Sequence, residues 1–431
     1  MAKKAANPDK MANPLTFRIL TLGCKVNQYE SELLREQLLA NGMIEPPNND
    51  PADIYIVNTC TVTAKSDAKC RKIIRHISKE NSEAKIYVSG CYAERDAEIL
   101  RKIPNVKKVV NNTEKPNLAK MILGNTFQQT IMPFEISGFE EHTRAFIKIQ
   151  DGCDEFCSYC IIPYVRGRSR SRGISEIADE AKRLVKNGYK EIVLTGIHVG
   201  AFGKTEARIH ALPELISELA KITGLHRLRL SSIDPNEVNN SLISAIADTR
   251  VACKHLHISL QSGSTRILKA MRRKYSADEF LNLVKILYEK IPDISISTDI
   301  MVGFPGETEH DFELSCAVVQ QAKFSKVHVF PFSPRPGTVA EKMTEQINPK
   351  VIRAREIRLI KVAERVAIMH KEKFLGRAMD VLVETKGENH EGFTDNYLRV
   401  CIDSQEPLDV NEIVKVKIQS NDSRFLYGVV V

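Results

Sequence analysis

The chain has 431 residues, 43% of them hydrophobic and 27% charged, a balance that excludes intrinsic disorder and leaves room for roughly two to four packed domains. The net charge of +8 is uneven: Lys+Arg against Asp+Glu is 20 to 15 over residues 1–138, 34 to 28 over 139–370 and 8 to 11 over 371–431. No apolar run approaches the length of a membrane span and no signal-peptide pattern opens the chain, so a cytoplasmic protein without membrane contact is expected; in that setting ten cysteines argue for metal or redox chemistry rather than disulfides.

Residues 1–14 are polar, lysine-bearing and interrupted by two prolines, and read as a disordered tail. From 15 to 130 strand-like runs (17–22, 54–58, 86–89, 107–110) alternate with helix-like runs (31–41, 64–80, 93–102). That order predicts a parallel sheet with helices on both faces. Cys24, Cys60 and Cys91 each lie just past the carboxyl end of a strand, and in a parallel sheet those ends share the ligand-binding edge. Three thiolates converging there suit a 4Fe–4S cluster with one open iron. The same positions also suit three small buried residues at tight turns.

A second alternation spans about 139 to 335, with strand-like runs at 145–149, 191–195, 227–231, 255–260, 294–300 and 326–330. Helix-like runs at 176–187, 212–222, 240–247, 277–290 and 307–322 separate them. Six β-α units predict an open partial barrel with its site at the carboxyl ends of the strands. Directly after the first strand comes Cys153-Asp-Glu-Phe-Cys157-Ser-Tyr-Cys160, a C-x3-C-x2-C spacing. Three thiolates can hold three corners of a cubane and leave the fourth iron open to a chelating ligand. A zinc knuckle usually brings four ligands in paired sets, and no partner pair lies nearby.

Residues 349–375 read as one long basic helix, with Pro349 in its first turn. It closes a domain spanning 139–370. Beyond it, 371–431 switches to short alternating runs (379–384, 398–402, 414–418, 425–431), and about five short strands suggest a small β-barrel of OB-like size.

Together these motifs resemble the methylthiotransferase family of radical S-adenosylmethionine (SAM) enzymes over residues 16–431. The first cluster motif is carried by Thr21-Leu-Gly-Cys24-Lys25-Val26-Asn27-Gln-Tyr-Glu-Ser-Glu32. Lys25-Val26-Asn27 departs from the Gly-Cys-Gln-Met-Asn and Gly-Cys-Pro-Lys-Asn forms of the branches that act on isopentenyladenosine and on a ribosomal protein. The chain looks most like the MtaB subfamily, which acts on N6-threonylcarbamoyladenosine in tRNA. The resemblance implies an N-terminal parallel α/β sheet domain, a central open (β/α)6 radical SAM partial barrel and a C-terminal β-barrel of TRAM type, an RNA-binding module.

It also implies two 4Fe–4S clusters, one on Cys153, Cys157 and Cys160 that generates a radical from SAM and one on Cys24, Cys60 and Cys91 that carries sulfur. Tyr159, Gly196, Gln261, Arg272, Asp299 and Gly303 match the family's SAM-side motifs, in Ser259-Leu-Gln261-Ser-Gly, Met271-Arg272-Arg273 and Asp299-Ile-Met-Val-Gly303-Phe-Pro-Gly-Glu307. The implied partners are tRNA and a reductant protein such as flavodoxin or ferredoxin. An adenine C2–H offers no acidity that a side-chain base could use, so no acid–base residue is assigned and the cofactor carries the difficult step.

For RNA contact the run Tyr164-Val-Arg166-Gly-Arg168-Ser-Arg170-Ser-Arg172 stands out. Arginines at alternate positions share one face of an extended segment and could pair with phosphates; a solvated charge run is the alternative. Lys350, Arg353, Arg355, Arg358, Lys361 and Arg365 on the 349–375 helix are weaker candidates. Cys70, Cys253, Cys316 and Cys401 fit no ligand pattern and read as structural. His198, after Thr195-Gly196, is the only histidine near the expected site. The competing readings are the same chemistry on isopentenyladenosine or a ribosomal-protein side chain, and an iron–sulfur RNA-binding protein without catalysis.

Overall fold

Strand β2 (Ile54–Thr59) is apolar on both sides, as a central parallel strand must be. Ile54 and Ile56 pack with Phe17, Leu34, Leu38 and Leu118; Val57 packs on the opposite face with Ile74, Ile77, Val88 and Leu100. The computed structural model describes residues 14–47, 50–128, 136–139, 142–204, 211–385 and 390–431. All but the last residue of the expected 1–14 tail lies outside them. Two compact units emerge, one within Met1–Thr61 and Lys65–Glu135, the other within Val62–Ala64 and Ile136–Val431.

In the first unit β1 (Phe17–Thr21), β2, β3 (Lys85–Gly90) and β4 (Val106–Val109) form a parallel sheet in chain order. Helices α1 (Lys25–Ala40), α2 (Ala64–Glu80), α3 (Cys91–Arg95), α4 (Ala97–Arg101) and α5 (Leu118–Leu123) cover it. As expected they lie on both faces, α1 and α5 on one, α2 to α4 on the other. Helix α1 begins six residues before the expected 31–41 run, because Val26 and Tyr29 are buried amid polar neighbours. The expected 93–102 helix is two short ones, broken at Asp96.

In the second unit β5 (Arg144–Lys148) is followed by the two-residue hairpin β6 (Gln150–Asp151) and β7 (Arg170–Ser171). Then come β8 (Glu191–Thr195), β9 (Arg227–Leu230), β10 (His255–His257), β11 (Ser295–Val302) and β12 (Lys326–Pro331). The parallel sheets β5-β8-β9 and β10-β11-β12 are joined by the parallel bridges Leu228↔Ala252 and Ile233↔Ile258, completing the expected six-stranded partial barrel. Its helices are α6 (Ile162–Arg166), α7 (Ile174–Lys186), α8 (Leu212–Leu219), α9 (Asn240–Asp248), α10 (Thr265–Ala270), α11 (Ala277–Lys290) and α12 (Glu309–Ala322). The long helix α13 (Pro349–Glu372) follows, with Pro349 in its first turn.

Strands β13 (Ala378–Val383), β14 (His390–Thr394), β15 (Arg399–Asp403), β16 (Ile413–Asn421) and β17 (Leu426–Val430) close a five-stranded barrel around Val381, Val400, Val416 and Leu426. This small barrel sits against the amino ends of the partial-barrel strands. Arg227 donates to Phe393 O and Asp380 O, both at 2.8 Å. Arg229 donates to Asp395 O at 2.9 Å and to buried Glu191 at 2.6 Å. Burial opposes charge on Glu191, but the guanidiniums of Arg229, Arg144 and Arg227 hold its carboxyl below the usual range. Tyr397, after β14 with φ +66°, stacks on Phe393 and meets the tilted ring of His255, both at 4.8 Å, with the Arg229 guanidinium 4.5 Å over its ring.

Candidate active site

Each cysteine of the first trio follows a strand of one register, Thr21↔Asn58↔Ser89. Gly23 turns the chain out of β1 at φ +102°, and a Cβ there would lie 2.6 Å from Cys60 Cβ and 2.9 Å from its Sγ. Only glycine lets the Cys24 loop come so close to Cys60. Cys24 is the exposed N-cap residue of α1, and its thiol caps no backbone group. The Asn27 amide donates to Leu22 O (2.7 Å) and Thr59 O (3.0 Å), tying the Cys24 loop to the strand that carries Cys60. The Thr59 hydroxyl donates to Ser89 O (2.6 Å) and accepts from Ala93 N (3.1 Å), tying that strand to the turn of Cys91. Gly90, at φ +95°, would put a Cβ 2.3 Å from Thr59 O. The structure therefore brings Cys24, Cys60 and Cys91 to one sheet edge, the last two buried.

The second trio lies on the loop between β6 and α6. Gly152 has φ +74°, and a Cβ on it would meet Arg168 O at 2.0 Å. Cys153 N donates to Gly167 O, and Cys160 N to Cys157 O, both at 3.0 Å. Between them Ser158 is stitched to the barrel: its N donates to Met271 O (3.1 Å), its hydroxyl to Ala270 O (2.8 Å), and its carbonyl accepts from Ala340 N (2.7 Å). The Gln150 amide donates to Gly152 O (2.7 Å) and Ser169 Oγ (2.9 Å) and accepts from His198 N (2.7 Å). One side chain thus fixes the loop, the strand after α6 and the turn after β8. Burial pushes the Cys160 thiol up to about 12.

Arg273 and His198 stand against the sulfurs. Arg273 Nη1 donates to Cys157 Sγ at 3.2 Å while its Nη2 pairs with Asp234. His198 Nδ1 lies 3.8 Å from Cys153 Sγ, and its Nε2 is 2.9 Å from Glu237. Burial disfavours charge on this imidazole, but Cys153 and Glu237 outweigh it and raise it to about 10. The sequence placed His198 near the site without a role and missed Arg273, choosing its neighbour Arg272. Arg272 is exposed at φ +62°.

The other expected SAM-side residues ring the carboxyl edge of the partial barrel. The Tyr159 ring packs against Ile267, Met271, Met301, Phe304 and Phe332. Gly196 closes on Gln150, where a Cβ would be 3.0 Å from its carbonyl. Gln261, at φ +75°, accepts from Met301 N and donates to Asp299 O through its backbone. Its side-chain oxygen is buried with no hydrogen-bond partner, an acceptor open to a ligand's donor. Asp299 pairs with His257 Nε2 at 3.1 Å. Gly303 at φ +78° faces Ile352 of α13 and donates to Glu307 at 2.8 Å.

The expected arginine row does not form, because the segment is not extended: it is helix α6, a turn and the short β7. Arg166 is buried beside Asp151 (3.6 Å). Arg172 is buried on Glu180 (2.6 Å) and Lys148 O (2.9 Å). Arg168 and Arg170 remain exposed, on Asp154 (2.9 Å) and Asp151 (3.5 Å). On α13, Arg355 is buried against Glu307 (2.8 Å) and Glu309 (3.2 Å). Arg358 is exposed and paired with Glu309 and Glu313, while Lys350, Arg353, Lys361 and Arg365 are exposed. Cys70 donates to Cys60 O at 3.5 Å from inside the helix face, and burial raises it to about 11. Burial likewise raises Cys253 to about 12 and Cys316 to about 11.

Among the described residues, no three His, Cys, Asp or Glu side chains converge as a single-ion site. A zinc knuckle brings four ligands in paired sets, whereas a cubane takes three thiolates on separate iron corners. The thiol-only donor sets, the glycines that clear space beside Cys60 and Cys153, and the orphaned Gln261 oxygen fit such clusters and a chelating ligand. No described helix is long and apolar enough to cross a membrane.

Comparison with known proteins agrees with this geometry. Residues 147–317 match the Radical SAM superfamily, and residues 16–111 match the uncharacterized protein family UPF0004. The chain is 40% identical to the threonylcarbamoyladenosine tRNA methylthiotransferase MtaB of Chlamydia pneumoniae, over 96% of this chain and 98% of that protein. It is 36% identical to MtaB of Bacillus subtilis, over 94% and 93%. A tRNA-2-methylthio-N(6)-dimethylallyladenosine synthase of Carboxydothermus hydrogenoformans is 34% identical, over 96% and 99%. Among solved structures, the radical SAM methyltransferase TsrM of Kitasatospora setae aligns with TM-score 0.54 at 15% identity, over 73% of this chain and 72% of that one, a likeness of fold alone. The chain therefore belongs to the radical SAM tRNA methylthiotransferase family, with MtaB proteins among its most similar relatives.

Proposed function

We propose that this protein is a tRNA methylthiotransferase that adds a methylthio group to C2 of N6-threonylcarbamoyladenosine at position 37, beside the anticodon. The observation that carries this reading is the pair of three-cysteine sites, each on the carboxyl edge of its own parallel sheet, in a chain matching MtaB proteins along nearly its whole length. Cys153, Cys157 and Cys160 hold one 4Fe–4S cluster and Cys24, Cys60 and Cys91 the other. With SAM bound, these groups supply a carbon radical strong enough for an unactivated C–H, together with the sulfur and the methyl group.

The chain's own part is binding, orientation and the exclusion of water. Ser158 and Gln150 hold the cysteine loop rigid through six hydrogen bonds, within the loop, to the barrel and to neighbouring turns. The Tyr159 cluster makes an apolar floor beside that loop. Gln261, Gly196, Asp299, Gly303, Arg272 and the Tyr159 backbone line the SAM side, Gln261 with its unsatisfied oxygen being the best supported. Arg168 and Arg170, both exposed, take RNA phosphates; the exposed partner of Arg168, Asp154, is a weak competitor, and Asp151 beside Arg170 is shared with Lys148 and Arg166. Arg166 and Arg172 position the loop from beneath. A flavodoxin or ferredoxin supplies electrons, and the tRNA substrate puts the reaction in the cytoplasm.

Nucleoside mass spectrometry of tRNA from cells with and without this gene tests the reading. Loss of 2-methylthio-N6-threonylcarbamoyladenosine with accumulation of its precursor supports it. Loss of 2-methylthio-isopentenyladenosine instead keeps the chemistry and moves the substrate. No change in either, with no 5′-deoxyadenosine released from SAM by the reduced protein, favours an iron–sulfur RNA-binding protein.

A further inference from the structure

Of the aromatic side chains that stand exposed among the described residues, two of three are neighbours at the cysteine loop: Phe156 at 41% and Tyr164 at 58%, the third being Tyr427. Their rings meet edge to face, with centroids 5.8 Å apart and planes at 76°. Phe156 immediately precedes Cys157, and Tyr164 lies on α6, four residues past Cys160. Both are carried by the backbone that Ser158 and Gln150 fasten to the barrel, so the pair is presented on a rigid mount. Four and six residues past Tyr164 come Arg168 and Arg170, with side chains 78% and 61% exposed.

Exposed aromatic surface costs solvation free energy that a structural role would recover by burial. An edge-to-face pair covers one ring with the rim of the other and leaves a face for an incoming planar group. Ring faces bordered by arginines are the equipment of proteins that hold unpaired RNA, the rings taking bases and the guanidiniums taking phosphates. We propose that Phe156 and Tyr164 form a stacking platform for an unpaired nucleobase of the substrate RNA next to the one modified, with Arg168 and Arg170 on the flanking phosphates. This inference rests on the RNA-substrate reading above and names the part of the RNA that is gripped. The platform stands on the same short loop as the cluster ligands, so the stacked base would hold its neighbour in register with the radical source.

The test uses the reconstituted holoprotein and an anticodon stem-loop carrying N6-threonylcarbamoyladenosine, with 2-aminopurine in place of the nucleotide on its 3′ side. The unaltered protein should quench the 2-aminopurine fluorescence on binding. Tyr164→Ala should lose most of the quench and bind on the order of tenfold more weakly, as expected for one lost base–aromatic stack, while Tyr164→Trp should retain both. If Tyr164→Ala loses iron or helix content, Tyr164→Leu, which keeps bulk without a π face, is measured instead with the same expectation. Quench and affinity unchanged in these variants overturn the platform. So does a variant impaired only with a protein reductant and not with dithionite, which would assign the aromatics to the electron donor. If the unaltered protein does not bind the stem-loop, the RNA-substrate reading itself fails, and the platform with it.

Discussion

Arg273 Nη1 donates to the Sγ of Cys157 at 3.2 Å while the same guanidinium is held by Asp234 and Tyr275. A cation is thereby fixed against one of the three thiols proposed as cluster ligands, with a carboxylate behind it to limit its charge. Hydrogen bonds and positive charge at cluster sulfurs raise reduction potential. Arg273→Met is expected to make the Cys153/Cys157/Cys160 cluster harder to reduce. An EPR-monitored redox titration should show its midpoint shifted to more negative values, and an unchanged midpoint would remove this role.

Gly152→Ala should empty the same site. At φ +74° a side chain is strained, and the new Cβ would fall 2.0 Å from Arg168 O, so the loop must move and carry Cys153 with it. Iron per chain is expected to fall to the share of the other cluster, about half, with the helix content retained. Full iron loading of this variant would show that the loop tolerates the shift.

Arg355→Met breaks the pairing that anchors α13 to the turn of Gly303. Glu307 is buried, accepts from Gly303 N and Arg355, and is pushed up by burial despite them. Removing one partner of a buried pair typically costs about 3–5 kcal/mol. The expected result is a lower Tm and weaker SAM binding by calorimetry. Adding Glu307→Gln should restore part of the stability, because it removes the stranded charge.

His370 predicts an acid-side loss of stability. Burial, aided by Lys373 and Lys371, lowers its imidazole to about 4, and its Nε2 lies 3.0 Å from Ser295 Oγ. The unfolded chain binds the proton below about pH 6.5 and the folded one only below about 4. Stability is therefore complete above pH 6.5 and falls as pH drops through that window. Between pH 7 and pH 5.5 the loss is about 1 kcal/mol for this group. Urea midpoints at the two pH values should differ less in His370→Gln than in the unaltered protein.

Much of the fold was legible because its signals are local. The strands of both sheets are short apolar runs closed by glycine or polar turns; Cys24, Cys60 and Cys91 directly follow three of them, and Cys153, Cys157 and Cys160 lie on the loop after β6. Arg166 and Arg172 were misread since alternation along the chain marks a face only in an extended segment, and α6 curls this one. That Arg273 rather than Arg272 meets a cysteine sulfur was not legible either: Arg272 takes a left-handed φ and is exposed, while its neighbour reaches Cys157. The contacts of Arg227 and Arg229 with the small barrel join residues about 150 or more positions apart, and no local pattern announces them. The same contacts recast the acidic balance of 371–431, since that barrel meets a row of arginines.

Tyr397, with His255 and Arg229 packed around it, keys the small barrel into the amino ends of the partial-barrel strands, so the two should melt as one cooperative block. A chain cut after α13 would leave the guanidiniums of Arg227 and Arg229 without their carbonyl acceptors on that barrel, and its single melting transition should split or fall.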